Sequence, residues 1–133
     1  MSSAARGAAG LVYDAGALVA AERNDPRFWA LHRRALERGV VPVVPTPVLA
    51  QVWRGAGQHA VSALLQGCRT EPLDAPDARA AGAALGRSRT SDVVDACVVV
   101  TALRRGDAVA TSDRADLERL AVGLGARLSI IDV

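Results

Sequence analysis

The sequence contains no lysine, and all 16 of its basic residues are arginine. A P-loop needs a lysine on the phosphates of its nucleotide, and Schiff-base catalysis needs an amine nucleophile, so both kinds of site are excluded. A phospho-acceptor receiver domain has aspartates at its strand ends and requires a lysine near its last strands, so the absence of lysine disfavours this class as well. The net charge of +2 is small, so any electrostatic attraction to nucleic acid is local.

Aromatic residues are almost as scarce, with one Phe, one Tyr and two Trp in 133 residues. An all-β sandwich or barrel draws on more aromatic and β-branched side chains than this. Half of the residues are hydrophobic, which is enough to build the core of one compact domain. We therefore expect helices alternating with short valine-rich strands, in a single domain over residues 10–133 that follows a flexible tail at residues 1–9.

Cysteine, histidine and long apolar segments are also rare. Cys68 and Cys97 form no CxxC pair, and two Cys with two His disfavour a zinc site of the finger type. No GxSxG motif occurs, and His32 and His59 lie in polar helical segments, where we expect surface histidines. No segment approaches the ~20 apolar residues of a membrane span. These features predict a cytoplasmic protein that makes no contact with a membrane.

Strand and helix signals alternate along the chain. Asp25-Pro26 and Thr46-Pro47 combine a capping residue with proline, which is typical of a helix start, and Ser91 is the expected cap of the longest apolar helix. The predicted strands are Leu11–Tyr13, Val40–Val44, Arg69–Leu73, Asp107–Thr111 and Arg127–Ile131. The predicted helices are Gly16–Glu22, Asp25–Glu37, Thr46–Trp53, Gln58–Leu65, Asp74–Leu85, Asp92–Arg104 and Asp113–Leu124. This alternation predicts an α/β fold with a parallel sheet and helices on both faces.

Four aspartates are expected at one edge of this sheet. Asp14 follows the first strand and Asp113 follows the fourth, while Asp92 and Asp95 share one face of a helix start. In parallel sheets the ligand crevice lies beyond the carboxyl ends of the strands. Gathering carboxylates there without cations is costly, so the pattern indicates a metal. An all-oxygen site suits Mg²⁺ or Mn²⁺, and such sites serve phosphodiester chemistry.

Each acid also has a purely structural interpretation. Asp14 suits a strand-end turn, and Asp92 suits the dipole of the helix that it begins. Asp113 is a good N-cap, and Asp116, one turn later, is typical of a solvated helix charge. Asp95 is the hardest to explain in this way, because it directly precedes an apolar segment that should be buried.

Four segments, in this order and spacing, resemble the PIN domains of VapC toxins over nearly the whole chain after residue 10. They are Leu11–Leu18 (LVYDAGAL), Pro45–Val52 (PTPVLAQV), Asp95–Ala102 (DACVVVTA) and Thr111–Asp113 (TSD). The resemblance implies a three-layer α/β/α sandwich with a central parallel sheet of about five strands. It also implies homodimerisation, Mg²⁺-dependent cleavage of RNA as a toxin of a type II toxin–antitoxin system, and inhibition by a VapB-type antitoxin whose C-terminal peptide enters the active-site groove.

The resemblance assigns the metal and the catalysis to Asp14, Asp95 and Asp113, with Mg²⁺ or Mn²⁺ as the ion. In the mechanism that the resemblance implies, metal-bound water would attack the scissile phosphate, and a metal or a nearby hydroxyl such as that of Thr111 or Ser112 would stabilise the transition state. The auxiliary residues are Asp92, Asp116, Gln51, Thr111 and Ser112.

Gln51 departs from the family pattern, which has glutamate at this position. A glutamine supplies a carbonyl oxygen but no negative charge, so metal affinity should drop. The alternative function is therefore a PIN-fold module that binds an antitoxin or RNA without efficient cleavage, and an ordinary helix residue is the alternative role of Gln51.

Three arginines and two segments are further candidates. Arginine binds phosphate with bidentate geometry, and Arg54, Arg87 and Arg89 are expected near the groove, with a solvated surface charge as the alternative role of each. The candidate dimer surfaces are Ala30–Ala35 and Ala50–Trp53. Within the second segment, the spacing of Trp53 predicts a side chain packed in the core.

Overall fold

A computed structural model of the protein describes residues 10–90 and 92–133. The expected tail at residues 1–9 and the expected cap Ser91 lie outside the described residues. The described strands are β1 (Leu11–Tyr13), β2 (Val43–Pro45), β3 (Arg69–Glu71), β4 (Ala108–Thr111) and β5 (Ile130–Asp132). The described helices are α1 (Ala15–Glu22), α2 (Pro26–Glu37), α3 (Thr46–Val52), α4 (His59–Gln66), α5 (Ala75–Ser88), α6 (Val93–Arg105) and α7 (Arg114–Gly123).

All strand pairs are parallel, and the strand order is β3-β2-β1-β4-β5. Right-handed crossovers place α1 to α4 on one face of this sheet and α5 to α7 on the other. The helix contacts agree, because α1 packs on α2, α3 and α4 while α5, α6 and α7 pack on one another. The predicted three-layer α/β/α sandwich with a five-stranded parallel sheet is therefore confirmed.

The core lies between the central strands and the helices on both faces. All three residues of β1 are buried, as are all four of β4. In α6 every residue from Ala96 to Ala102 is buried, because this helix lies between the sheet and α5 and α7. Cys97 belongs to this buried stretch and is a free thiol, as expected.

Several predicted boundaries are wrong. Helix α5 continues to Ser88 and ends at the left-handed Arg89, so most of the predicted loop Gly86–Thr90 is helical. Strand β5 begins at Ile130 rather than Arg127, and β2 begins at Val43, after Pro42. The N-cap of α6 is Asp92, whose Oδ1 accepts the N–H of Asp95 at 2.9 Å. Helix α5 continues through Gly82 and Gly86 because its many alanine, leucine and arginine residues favour the helical state.

His32 is buried, which corrects the prediction of a surface histidine. Its Nδ1 lies 2.8 Å from the hydroxyl oxygen of Tyr13, and its ring packs against Phe28 and Trp29. The residue lies one turn after Phe28, on the face of α2 that points to the sheet, and burial lowers the pKa of its imidazole. Because His32 and Ala35 are both buried, only part of Ala30–Ala35 is available as a surface.

Trp53 is also placed differently from the prediction. It follows the last turn of α3 as the C-cap and is 37% exposed, whereas Val48 and Val52 of the same helix are buried. The helix ends before Trp53 because the backbone becomes extended there. Among the residues that the structure describes, no helix has the length and apolar character needed to cross a membrane.

A network of ion pairs ties α6 to the sheet and to α5. Arg105 Nε lies 2.8 Å from Asp107 Oδ2, and Arg105 Nη1 lies 3.5 Å from Glu71 Oε1. Arg104 lies 3.1 Å from the other oxygen of Glu71 and 2.9 Å from Asp77. The three carboxylates are largely buried, so the two arginines compensate charges that water does not reach.

Candidate metal centre

Asp14 ends β1 and begins α1, at the carboxyl edge of the sheet. Its side chain is buried, and Oδ1 accepts the N–H of Ala17 at 2.9 Å, which caps the helix. Burial raises the pKa of the Asp14 carboxyl, and the charge of Asp113 raises it further. Hydrogen bonds from the Thr111 side chain and the Ala17 N–H oppose that shift. Asp14 is therefore held rigidly, and no cationic side chain among residues 10–90 and 92–133 contributes to the shift of its pKa.

Asp95 lies in the first turn of α6, between the other acids. Burial raises the pKa of its carboxyl to about 7, and the charges of Asp92, Asp113, Asp14 and Asp116 contribute in that order. All four neighbours are acidic, so the carboxylate of Asp95 has no favourable charge beside it. Asp95 is thus the acid to which each of the other four is electrostatically coupled.

Asp113 and Asp116 complete the cluster from the start of α7. One carboxylate oxygen from each of Asp95, Asp113 and Asp116 lies within 4.8 Å of the other two. Partial burial and the neighbouring Asp116 raise the pKa of Asp113, while the charge of Arg119 lowers it. The guanidinium of Arg119 lies 3.3 Å from Asp116 Oδ1, so a cation already borders this side of the cluster.

Thr111 connects the two strand-end acids. Its side chain is fully buried at the end of β4, and Oγ1 accepts the backbone N–H of Asp113 at 2.8 Å. The same side chain makes the hydrogen bond that lowers the pKa of Asp14. Both hydrogen-bonding functions of the hydroxyl are engaged, so Thr111 positions Asp14 and Asp113. Ser112, in contrast, is exposed beside the cluster.

Gly16 sits in the first turn of α1 with the hydroxyl of Ser112 directly against it. A Cβ at position 16 would clash with that hydroxyl and would approach Asp14 Oδ1 to 3.2 Å. Glycine is unfavourable in a helix, so its presence here reflects the lack of space rather than helix propensity. The tight contact keeps the loop that carries Ser112 and Asp113 close to Asp14.

We expect Gly16→Ala to displace Ser112 and to lower the free energy of unfolding by about 1 kcal/mol, despite the better helix propensity of alanine. Gly82→Ala is the matched control, because Gly82 lies within α5 with open space around it and should gain up to about 1 kcal/mol. Urea unfolding of both variants measures the two shifts. Equal stabilisation by both substitutions would contradict the tight contact at Gly16.

The other predicted residues, Gln51, Arg54, Arg87 and Arg89, are all exposed. Gln51 is exposed on α3, and the guanidinium of Arg54 donates to the carbonyl oxygens of Trp53 and Ala50 at 2.8 and 3.3 Å. Arg87 and Arg89 are exposed at the end of α5. The structure thus brings five aspartates together, and it gives Asp116 a more central place than its sequence position indicated. The three-residue spacing of Asp113 and Asp116, which puts both on one helix face, was the available signal.

The donor set fits a hard divalent cation. Within the described part of the chain, the grouped ligand atoms are carboxylate oxygens without histidine or cysteine. Mg²⁺ and Mn²⁺ prefer such oxygen ligands, and Mg²⁺ binds through a few carboxylates while it retains several waters. The raised pKa values of Asp14, Asp95 and Asp113 show that their charged forms are disfavoured in this site. A bound cation would stabilise those charged forms.

Comparisons with known proteins agree with this architecture. The family model described as PIN domain matches residues 11–123. The structure of VapBC2 from Rickettsia felis, bound to a DNA fragment from its promoter, contains a similar chain with a TM-score of 0.67 and 12% identity, over 92% of this chain and 98% of that one. The structure of FitAB bound to an IR36 DNA fragment contains another, with a TM-score of 0.58 and 13% identity, over 92% and 94%. A search of the curated proteins finds no match.

Proposed function

The chain belongs to the PIN domain family, and from this premise we propose that it is a metal-dependent endoribonuclease of the VapC toxin type. It would hydrolyse RNA phosphodiester bonds as the toxin of a type II toxin–antitoxin system. The observation that carries the proposal is the acidic cluster itself, in which carboxylate oxygens of Asp95, Asp113 and Asp116 lie within 4.8 Å of one another. A purely structural set of acids would be paired with arginines, as Glu71 and Asp77 are elsewhere in this fold. Among the described residues of this cluster, Asp116 pairs with Arg119, whereas Asp95 and Asp113 have no arginine partner.

Asp14, Asp95 and Asp113 would hold the ion, Mg²⁺ or Mn²⁺, with Asp116 as a further ligand beside Asp95 and Asp113 and Asp92 at the margin. When bound, such an ion lowers the pKa of a coordinated water and neutralises charge on the phosphate. Thr111 would position the two residues relative to each other, because its side chain accepts the backbone N–H of Asp113 and hydrogen-bonds to the carboxylate of Asp14. Ser112 is the exposed hydroxyl beside the cluster and is available to a phosphate oxygen.

A VapB-type antitoxin is the proposed partner. The similarity to the VapBC2 and FitAB structures supports this partner, since both are structures of complexes bound to DNA fragments. The proposed domain spans residues 10–133 and acts in the cytoplasm as a homodimer. Trp53 and the exposed Ala50 and Gln51 beside it are the part of Ala50–Trp53 that is accessible to a second copy.

Cleavage of RNA by the purified protein tests the proposal. Labelled single-stranded and hairpin RNAs are incubated with the protein in Mg²⁺, in Mn²⁺ and in EDTA, and we expect discrete cleavage products with either metal and none with EDTA. Products that persist in EDTA would indicate a contaminating, metal-independent ribonuclease. Absence of products in both metals, with every RNA, would contradict the proposal.

We expect Gln51→Glu to raise Mg²⁺ affinity and the cleavage rate, by roughly tenfold, if position 51 borders the ion. Titration calorimetry with Mg²⁺ and initial cleavage rates measure the two effects. Gln66→Glu, at the exposed end of α4, adds the same charge elsewhere and should change neither.

The same variant addresses the second candidate function, a PIN-fold module that binds an antitoxin or RNA without efficient cleavage. Gln51 is the observation that favours it, because a glutamine in place of the glutamate of the family pattern lacks one negative charge. If neither the native chain nor Gln51→Glu cleaves RNA, while Asp95→Asn still binds its partners, the module is the better description.

A further inference from the structure

The helical layer that contains α1 to α4 leaves one part of the sheet open. These helices belong to the connections between β1, β2 and β3, so they cover the half of the sheet that contains those strands. Of the four helices, α2 is the one that, among the described residues, lines a cavity together with β5. Two adjoining cavities of about 310 and about 280 Å³ follow α2 along β5. Both are lined by Leu31, Arg34 and Ile131, and they form one groove that runs between α2 and the edge strand, here called the α2–β5 groove.

The floor of the α2–β5 groove is apolar. Leu31 and Ala35 contribute from α2, and Leu11 and Ala108 from the paired strands β1 and β4. Ala108 is small, so the groove is deeper here than a valine or isoleucine would allow. Ile131 of β5 lies on the wall of the groove, and this large apolar side chain is 37% exposed. An apolar surface of this kind gains free energy when another molecule covers it.

The rim of the groove carries positive charge. Arg27, Arg34 and Arg38 line it, and no acidic side chain among residues 10–90 and 92–133 lies within 4 Å of their charged nitrogens. The two aspartates at the groove have other partners. Asp25 caps α2 by accepting the N–H of Arg27 and Asp132 pairs with Arg114. The groove therefore offers unpaired guanidinium groups beside an apolar floor.

We propose that the α2–β5 groove binds an acidic amphipathic helix of a partner protein, with apolar side chains on the floor and carboxylates on the three arginines. The twelve residues of α2 span ~18 Å, which suits a helix of about three turns lying beside it. Addition of a strand to β5 is disfavoured, because Arg114 Nη2 lies 3.5 Å from the carbonyl oxygen of Ile130 and the same guanidinium binds Asp132. This inference goes beyond the proposed nuclease function and does not depend on it.

Other occupants fit the groove less well. Residues 1–9, which precede Gly10 at one end of it, include Arg6 and no acidic residue, so their charge repels the rim. RNA would pair with the arginines, but its sugars and phosphates would leave the apolar floor exposed. Among the described residues, no aromatic side chain lines the larger cavity, and Phe28, which lines the smaller one, is too deeply buried for base stacking. A second copy of the chain would bring the same positive α2 surface against this one.

A fluorescein-labelled peptide tests the proposal. It carries leucine on one helical face and glutamate on the others, and its control replaces each glutamate by lysine. We expect the glutamate peptide to bind the full chain with a micromolar Kd, measured by fluorescence anisotropy, and the lysine peptide to bind at least tenfold more weakly. Arg34→Glu should weaken the binding of the glutamate peptide tenfold or more. Arg33→Glu is the matched control, because it reverses the neighbouring charge outside the groove and should change the Kd less than threefold.

Ile131→Asp, an exposed substitution on the wall of the groove, should also weaken binding tenfold without changing the oligomeric state. Equal effects of Arg33→Glu and Arg34→Glu would overturn the proposal, since binding would then follow overall charge. Failure of the full chain to bind the peptide would also overturn the proposal. That is the result that an occupied groove, filled by residues 1–9, would give. Arg34-dependent binding of single-stranded RNA or Arg34-dependent self-association in sedimentation, without peptide binding, would assign the groove to those occupants instead.

Discussion

Asp95→Asn is expected to reduce metal-dependent RNA cleavage by roughly 10²–10³-fold, the largest effect of any single change at the candidate metal centre. Each of the other four aspartates raises the pKa of Asp95, so this carboxylate is the one that all of them surround. The substitution keeps the shape of the side chain and its N-terminal place in α6, but it removes the charge that would hold the ion. The loss should appear in the cleavage rate and also in the Mg²⁺ affinity measured by calorimetry.

The same substitution should stabilise the metal-free protein at neutral pH. The pKa of Asp95 is about 7 in the folded chain, above the ordinary value of an aspartate, so folding at higher pH brings its charge into an unfavourable environment. This penalty is complete above pH 7 and disappears as the pH falls towards 4, where the unfolded chain is protonated as well. At pH 8 without metal we expect Asp95→Asn to gain about 2 kcal/mol in the free energy of unfolding, a value reduced for the partial exposure of the group.

Urea unfolding at pH 8 and pH 5, with EDTA, measures this difference, which should shrink at the lower pH. Glu118→Gln removes a carboxylate from the exposed side of α7, where it pairs with Arg114, and is the matched control for both readouts. The assignment of Asp95 would be refuted if Asp95→Asn cleaved RNA at the native rate, or if Glu118→Gln had the same effect on cleavage and stability.

The sequence was sufficient to predict the layers of the fold and the edge at which the acids meet. Asp14 and Asp113 each follow a short apolar segment. The strands β1 and β4 are parallel, so their carboxyl ends lie at the same edge of the sheet. Asp95 could be found because a charged residue directly before a long buried helix segment needs an explanation. The role of these residues in catalysis stays a prediction.

Features that depend on packing between distant segments were not predictable. His32 lies on the buried face of α2, one turn after Phe28, so helix periodicity could have indicated its burial. The contact between its Nδ1 and the Tyr13 hydroxyl, 19 residues earlier in the chain, could not be predicted in this way. Gly16 contacts the hydroxyl of Ser112, which belongs to another loop. The sequence Arg104-Arg105-Gly106 was consistent with an ordinary helix end, yet both arginines are partners of carboxylates from β3, α5 and the turn before β4.

Arg105→Met is expected to lower the free energy of unfolding by roughly 3 kcal/mol, because it removes one partner of a buried ion pair. The side chain of Asp107 is only 5% exposed and lies 2.8 Å from Arg105 Nε, and Gly10 packs closely against its carboxylate. Methionine fills most of the volume of the arginine stem, so the loss would come mainly from the uncompensated charge of Asp107, since Glu71 keeps Arg104 as a partner. Arg114→Met is the matched control, since Arg114 pairs with the exposed Asp132 and should cost less than about 1 kcal/mol.

A double substitution separates the lost charge pair from simple damage to the core. Arg105→Met combined with Asp107→Asn removes both charges of the shortest pair, and we expect it to recover more than half of the stability lost by Arg105→Met alone. Urea unfolding of the native chain, the two single variants and the double variant completes the cycle. If Arg105→Met cost no more than Arg114→Met, or if Asp107→Asn recovered nothing, water would reach this carboxylate in solution. The arginines at the end of α6 would then be ordinary surface charges, as the sequence pattern alone indicates.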